Sequence, residues 1–127
     1  MPAEMKKIKR FIKSFKYATE GIIVILKSEQ NIKVHVLAMI LAIIFGIILK
    51  INKIEWIICI ILFGIVISSE LFNTAIETIV DMVCPEKNDK AKIAKDTAAG
   101  AVLINAIAAF IIGGIIFFPK ILQIVQI

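Results

Sequence analysis

Four polar side chains recur at helical spacing within the apolar middle of the sequence: Glu70, Asn73, Glu77 and Asp81. At about 100° per residue in an α-helix they fall within a stripe roughly 80° wide, which Thr74 borders. Carboxylate and amide oxygens are ligands that Mg²⁺ prefers, and this ion completes its shell with water and substrate phosphates. The stripe therefore predicts a site for a divalent cation together with a phosphate-bearing ligand.

Glu70 is the member of this stripe nearest the apolar part of the chain. The uncharged stretch 56–69 leads directly into it, and Pro85 is the first residue that stops a helix. The solvated end of a helix would explain Asp81, but Glu70 lies about 16 Å further along the axis. Because an ionisable group at membrane depth costs free energy unless it has a partner or a function, Glu70 is predicted to be functional.

No glycine-rich phosphate loop accompanies the stripe, since none of the six glycines has the required spacing. Cationic side chains would have to bind the phosphates of a nucleotide, and the candidates are Arg10, Lys92 and Lys95. Lys95 and Asp96 precede the third apolar stretch, so we expect them at the N-terminus of its helix, where free amide groups favour anions. The small residues after them predict close packing with a neighbouring helix.

The elements that position these residues must lie in a membrane. The chain has 127 residues, of which 60% are hydrophobic, and a mean hydropathy of +0.95, which excludes a water-soluble single domain. Its net charge of +5 would fit a nucleic-acid partner, but so apolar a chain has too little polar surface for one. We therefore expect no nucleic acid among its partners.

Three uncharged stretches, 34–49, 56–69 and 97–119, contain 16, 14 and 23 residues. Crossing a bilayer takes about 20 residues, so the first needs its flanking lysines to reach the headgroup layer, and the second must continue into the polar stripe. We predict membrane-spanning helices at about 33–50, 54–83 and 96–119, within a single domain over 1–127.

The N-terminal segment, about 5–28, predicts an amphipathic helix on the membrane surface. Its apolar residues share one face, and they are Ile8, Phe11, Ile12, Phe15, Ala18, Ile22 and Leu26. Lysines, Arg10 and Glu20 occupy the other face, which is typical of helices bound to an anionic leaflet. The expected fold is an all-α integral membrane protein, with this surface helix followed by three transmembrane helices.

Basic residues are distributed unevenly along the chain. Eight Lys/Arg precede residue 34 and four lie in 82–97, against two in 50–55 and one after residue 119. With three spans the first two groups share a side, and the positive-inside rule places that side in the cytoplasm. We expect the N-terminus and the polar stripe to face the cytoplasm.

The chain resembles the bacterial diacylglycerol kinase and undecaprenol kinase family in two segments, 70–81 (ELFNTAIETIVD) and 94–103 (AKDTAAGAVL). Arg10, Tyr17 and Glu29 also follow the family's order and spacing. The resemblance implies a small kinase of the bacterial plasma membrane that moves the γ-phosphoryl group of ATP to a lipid hydroxyl at the cytoplasmic interface. It also implies a homotrimer whose active sites are shared between neighbouring subunits.

The same resemblance implies roles for individual residues. Glu70 would be the general base that accepts the proton of the lipid hydroxyl, and desolvation would favour that role by disfavouring the charged carboxylate. Glu29 and Glu77 would hold Mg²⁺ against the ATP phosphates, with Asn73 orienting Glu70 or the metal shell. Lys95 would bind phosphate oxygens. The remaining positions that would contact the nucleotide are Arg10, Tyr17, Glu86, Lys87, Asn88 and Asp96.

The acceptor lipid is predicted from a departure after Glu29. The diacylglycerol-type branch of the family has an aromatic residue, an arginine and an acid there, whereas this chain has Asn31 and His35, like the undecaprenol kinase branch. We therefore favour undecaprenol as the acceptor, with diacylglycerol as the alternative. The apolar spans suit either lipid.

Two other classes of protein compete with a kinase. A small proton-coupled transporter could use Glu70 as an intramembrane relay, but a relay needs access from both sides and would leave Lys95 and Asp96 unexplained. A purely structural helical subunit would leave the whole polar stripe unexplained.

Overall fold

The computed structural model describes residues 1–126 and contains four α-helices with no strand among those residues. They are α1 (Ala3–Ser28), α2 (Gln30–Ile48), α3 (Lys53–Val83) and α4 (Asp89–Val125). Three of them, α2, α3 and α4, are long and apolar enough to cross a membrane, and an 18-residue stretch of each has a mean hydropathy of 2.2, 2.2 and 2.6. The prediction of an all-helical fold with an N-terminal helix before three spans is confirmed.

Helix α4 begins well before the predicted residue 96. Asn88 is its N-cap, because its side chain accepts hydrogen bonds from the backbone N–H of Lys90 at 2.9 Å and of Ala91 at 3.2 Å. Lys95 and Asp96 therefore lie in the second turn, and the expectation that they flank the free amides of the helix start is wrong. At the other end, the helix continues through Pro119 to Val125.

The turn between α2 and α3 reverses the chain in four residues. Lys50 adopts a φ of 54°, and the N–H of Ile51 donates to the carbonyl of Gly46 at 3.1 Å, which is the Schellman pattern of helix termination. Asn52 and Glu55 then form a reciprocal capping box at the start of α3. A Cβ at Gly46 would lie 2.7 Å from the Trp56 ring, so only glycine fits this crossing unstrained.

The small core lies near this turn. Ile51, Cys59 and Ile116 are buried together, and aromatic side chains including Trp56 and Phe63 pack around them. Most other large apolar side chains on α2, α3 and α4 are exposed, as expected for helices in contact with lipid. Helix α1 has no buried residue, in agreement with the predicted surface position.

Candidate active site

The buried polar residues of the described chain all lie on the second half of α3. They are Glu70, Asn73 and Thr74, with 3%, 7% and 7% of their surfaces exposed. Glu77 is half-buried, and the Asp81 side chain is 63% exposed. The predicted stripe therefore passes from the interior of the molecule to solvent, with Glu70 at its buried end.

Helix α2 contributes the side chain that contacts Glu70. His35 Nε2 lies 3.0 Å from Glu70 Oε1, a distance suited to an ion pair when the imidazole is protonated. The approach does not meet the angular requirement of a hydrogen bond, so Oε1 has no hydrogen-bond donor among residues 1–126. A buried carboxylate oxygen without a donor costs free energy, and such atoms in native proteins commonly have a functional reason.

Asn73 contacts Glu77 and not Glu70. Its Nδ2 donates to Glu77 Oε1 at 3.2 Å, while its own Oδ1 is buried and accepts no hydrogen bond in the described chain. The amide therefore fixes the orientation of Glu77. Of the two alternatives predicted for Asn73, orientation of Glu70 or of the metal shell, this contact favours the second.

Helix α4 meets the exposed end of the stripe through Lys95. Its Nζ donates to Asp81 Oδ1 at 2.8 Å, so the ammonium lies above the acidic face of α3. Asp96 points elsewhere and pairs with Lys92 one turn earlier on α4. Lys95 is the predicted phosphate ligand that the fold brings to the stripe.

A cavity of about 830 Å³ lies between the end of α3 and the start of α4. Its wall includes five residues that the resemblance assigns to the nucleotide, namely Glu86, Lys87, Asn88, Lys95 and Asp96. Cys84 is also in this wall, and partial burial and the nearby Glu86 carboxylate raise the pKa of its thiol above the usual value. The thiol therefore stays protonated at neutral pH and is a poor nucleophile.

Other predicted residues are not brought to the stripe by contacts within the described chain. Tyr17 is 61% exposed, and Arg10 is also exposed on α1. Glu29 is half-buried where α1 meets α2, and its side chain makes no capping hydrogen bond. A single chain thus forms the α3–α4 part of the site without the α1 part.

The donor set suits a hard divalent cation but does not enclose one. Among residues 1–126 no group of three or more His, Cys, Asp or Glu side chains is arranged to hold a metal. The Glu77 carboxylate beside the buried Oδ1 of Asn73 provides oxygen ligands of the kind that Mg²⁺ uses. This ion typically needs only one or two protein carboxylates when substrate phosphates supply the rest, so the residues fit it.

His35 is a functional candidate whose contact with Glu70 the sequence does not predict; in the sequence it only distinguishes two branches of the family. Its contact with Glu70 depends on how α2 crosses α3, which sequence spacing does not reveal. One signal was present, because His35 is an ionisable residue just inside an apolar stretch and can lie at the depth of a buried acid.

His35 also lies in the wall of a second, apolar cavity of about 450 Å³ between α2, α3 and α4. The rest of the wall is apolar or small and includes Phe45, Val66 and Phe110. An apolar space thus begins beside the buried acid.

Comparisons with known proteins agree on one family. The family model described as prokaryotic diacylglycerol kinase matches residues 16–117. The undecaprenol kinase of Bacillus subtilis (strain 168) is 42% identical over 113 residues, which cover 89% of this chain and 92% of that protein. The diacylglycerol kinase of Synechocystis sp. (strain ATCC 27184 / PCC 6803 / Kazusa) is 36% identical over 87% of this chain and 64% of its own length. The diacylglycerol kinase of Haemophilus influenzae (strain ATCC 51907 / DSM 11121 / KW20 / Rd) is 32% identical over 84% of this chain and 92% of its own length.

Proposed function

The chain belongs to the prokaryotic diacylglycerol kinase family, and from this we propose that it transfers the γ-phosphoryl group of ATP to undecaprenol, giving undecaprenyl phosphate. Membership of the family confirms the predicted resemblance and the lipid kinase class. The observation that supports the chemistry is the burial of Glu70 at one end of the acidic stripe. The other end of the stripe, at Asp81, lines the polar cavity, and His35, which contacts Glu70, lines the apolar cavity. Diacylglycerol is the alternative acceptor, as in two of the relatives.

In the proposed reaction the nucleotide occupies the cavity between α3 and α4. Lys95 binds phosphate oxygens and compensates the negative charge that develops on them. Glu77, with Asn73 beside it, and Glu29 would hold Mg²⁺, which supplies further charge neutralisation when bound. The acceptor's hydrocarbon lies along apolar surface that continues into the second cavity.

Glu70 accepts the proton of the lipid hydroxyl as the hydroxyl oxygen attacks the γ-phosphorus. A new oxygen–phosphorus bond forms, the bond from the γ-phosphorus to the β–γ bridging oxygen breaks, and ADP leaves. The proton remains on Glu70 until water removes it. Phosphoryl transfer requires mainly positioning and electrostatic stabilisation, so this small set of side chains is sufficient.

The proposal includes a homotrimer with shared active sites. Arg10 and Tyr17 are assigned to the nucleotide by resemblance, yet they are exposed on α1 and make no contact with the stripe in the described chain. A neighbouring subunit would bring an α1 helix over the cavity and complete the site. Crosslinking in detergent, read by mass, tests this directly, and a monomer with full activity would contradict it.

The chain is a membrane protein, and we place its N-terminus and its α3–α4 loop in the cytoplasm. Twelve of the fifteen Lys/Arg residues lie in the two segments that share this side. Cysteine accessibility in intact cells, with single cysteines placed at exposed positions such as Lys7 and Lys90, should show both sites protected from an impermeant thiol reagent. Labelling of both cysteines from outside the cell would indicate the opposite orientation.

The experiment that tests the function is a competition between two lipids. Purified protein in detergent receives labelled ATP, Mg²⁺, and undecaprenol and diacylglycerol at equal mole fraction, and the labelled lipids are separated. Undecaprenyl phosphate should dominate, and a chelator should abolish the product. Dominant phosphatidic acid would establish the alternative acceptor, whereas no labelled lipid under any condition would favour the transporter class.

A further inference from the structure

We infer that His35 is a positioning residue for Glu70. This inference rests on the proposed function, in which Glu70 accepts the proton of the lipid hydroxyl. Neither the catalytic nor the metal assignments made above include this histidine. The contact of 3.0 Å between His35 Nε2 and Glu70 Oε1 joins α2 to α3 at the most buried acid of the chain.

Glu70 has no alternative partner in the described chain. Asn73, the neighbouring buried amide, directs its N–H toward Glu77. Lys95, the nearest cation to the stripe on α4, donates to Asp81. Among residues 1–126 the imidazole of His35 is therefore the side chain that holds the Glu70 carboxylate in place.

The pair is arranged to leave one oxygen of Glu70 for the substrate. Because His35 Nε2 lies against Oε1, Oε2 is the oxygen left to accept the proton of the acceptor hydroxyl. The proton passes from the hydroxyl to Oε2 while the oxygen–phosphorus bond forms and the bond to ADP breaks, so His35 neither gains nor loses a proton in that step.

The position of His35 also links Glu70 to the apolar cavity. Its side chain is 21% exposed and forms part of the cavity wall, whereas Glu70 is almost fully buried. The adjacent imidazole therefore fixes the direction of the Glu70 carboxylate at the edge of the apolar cavity.

The test compares three variants of the full-length protein. His35→Leu removes the N–H donor, and His35→Gln retains an N–H donor on a side chain of similar reach. Gln30→Leu is the matched control, since it removes an exposed amide from the same helix. For each variant, kcat and the KM for ATP are measured with the lipid that the parent protein phosphorylates.

His35→Leu should lower kcat roughly 10- to 100-fold, because misplacement of a catalytic group by about 1 Å has effects of that size. Its KM for ATP should stay close to the parent value, because His35 is not in the nucleotide cavity. His35→Gln should recover much of the lost kcat, and Gln30→Leu should resemble the parent.

A second measurement does not depend on turnover. Dicyclohexylcarbodiimide modifies protonated carboxyl groups in apolar surroundings, and peptide mass spectrometry locates the adduct on Glu70. Without ATP or metal, modification should be faster in His35→Leu than in the parent, His35→Gln or Gln30→Leu, because the Glu70 carboxyl group is then no longer held by the side chain at position 35.

The outcomes separate this inference from the proposed function. If the parent protein phosphorylates no lipid, the proposed function is wrong. An active parent whose His35→Leu variant keeps its kcat and its rate of Glu70 modification removes only the role of His35. A drop in kcat that His35→Gln does not recover, with unchanged Glu70 modification, would also overturn it.

Discussion

Two glutamates on α3 have opposite environments. Glu55 lies at the turn end, which comprises the α2–α3 turn with the start of α3 and residues 116–120. Its Oε1 accepts a hydrogen bond from Asn52 N–H at 3.0 Å and pairs with Lys120 at 3.2 Å. Glu70 lies fifteen residues later at the acidic end, which comprises residues 70–96 with His35, and its buried Oε1 has no hydrogen-bond donor in the described chain.

The lysines of α4 show the same contrast. Lys120 pairs with Glu55 within a closed contact in which both side chains are less than one-third exposed. Lys95 pairs with Asp81 at the edge of a cavity, where their side chains are 39% and 63% exposed. The turn end satisfies its polar groups within one chain, and the acidic end leaves polar groups for something else to bind. The difference is what supports the proposal of chemistry at the acidic end and of a stabilising role for the turn end.

The largest effect on kcat should come from Glu70→Gln, compared with the same exchange at Glu55. Glu70→Gln should lower kcat by about 100-fold or more, because an amide cannot accept the hydroxyl proton. Its thermal unfolding midpoint in detergent should not fall, since a buried carboxylate is removed. Glu55→Gln is the matched control and should keep the parent kcat. Equal losses of kcat in both variants would erase the functional contrast.

The two lysines of α4 provide the next comparison. Lys95→Met should lower kcat/KM for ATP by about 10- to 100-fold, as expected when one charged donor to a phosphate is lost. Lys120→Met should leave kcat/KM unchanged and only reduce thermal stability. Steady-state kinetics with varied ATP measures kcat/KM in both variants. A larger loss in Lys120→Met than in Lys95→Met would contradict the placement of the nucleotide beside Lys95.

Packing at the turn end should govern stability without touching catalysis. Gly46→Ala places a Cβ 2.7 Å from the Trp56 ring and should destabilise the protein by about 1–3 kcal/mol, as overpacking usually does. Gly64→Ala is the control, because nothing lies within 4 Å of a Cβ there. Unfolding in detergent gives the difference, and kcat per folded molecule should be unaltered in both.

The smallest effect concerns the left-handed residue of the α2–α3 turn. Lys50→Gly should raise stability by up to about 1 kcal/mol, because glycine adopts a φ of 54° without the steric cost of a Cβ. Removal of its charge should not alter kcat. A lower unfolding midpoint in Lys50→Gly would contradict this prediction. It would mean that the contact of the lysine with the headgroup layer stabilises the protein by more than its backbone strain destabilises it.

Much of the acidic end could be predicted from the sequence because helical periodicity is a local property. The spacing of Glu70, Asn73 and Glu77 placed them on one face, and the structure buries the first two. The predicted start of α4 at about residue 96 is too late, because the charged residues 89–96 suggest a loop whereas the Asn88 cap begins the helix there. Charged residues do not interrupt a helix whose first turn lies outside the membrane.

The helices, their apolar faces and the common face of the acids follow from the sequence, since each depends on the chemistry of neighbouring residues along one helix. Which of those groups have partners depends on the tertiary packing. The contact of His35 with Glu70 joins two residues that are 35 positions apart in the chain, and that of Lys120 with Glu55 joins two that are 65 positions apart. Such contacts depend on how helices cross, and no local spacing encodes a crossing.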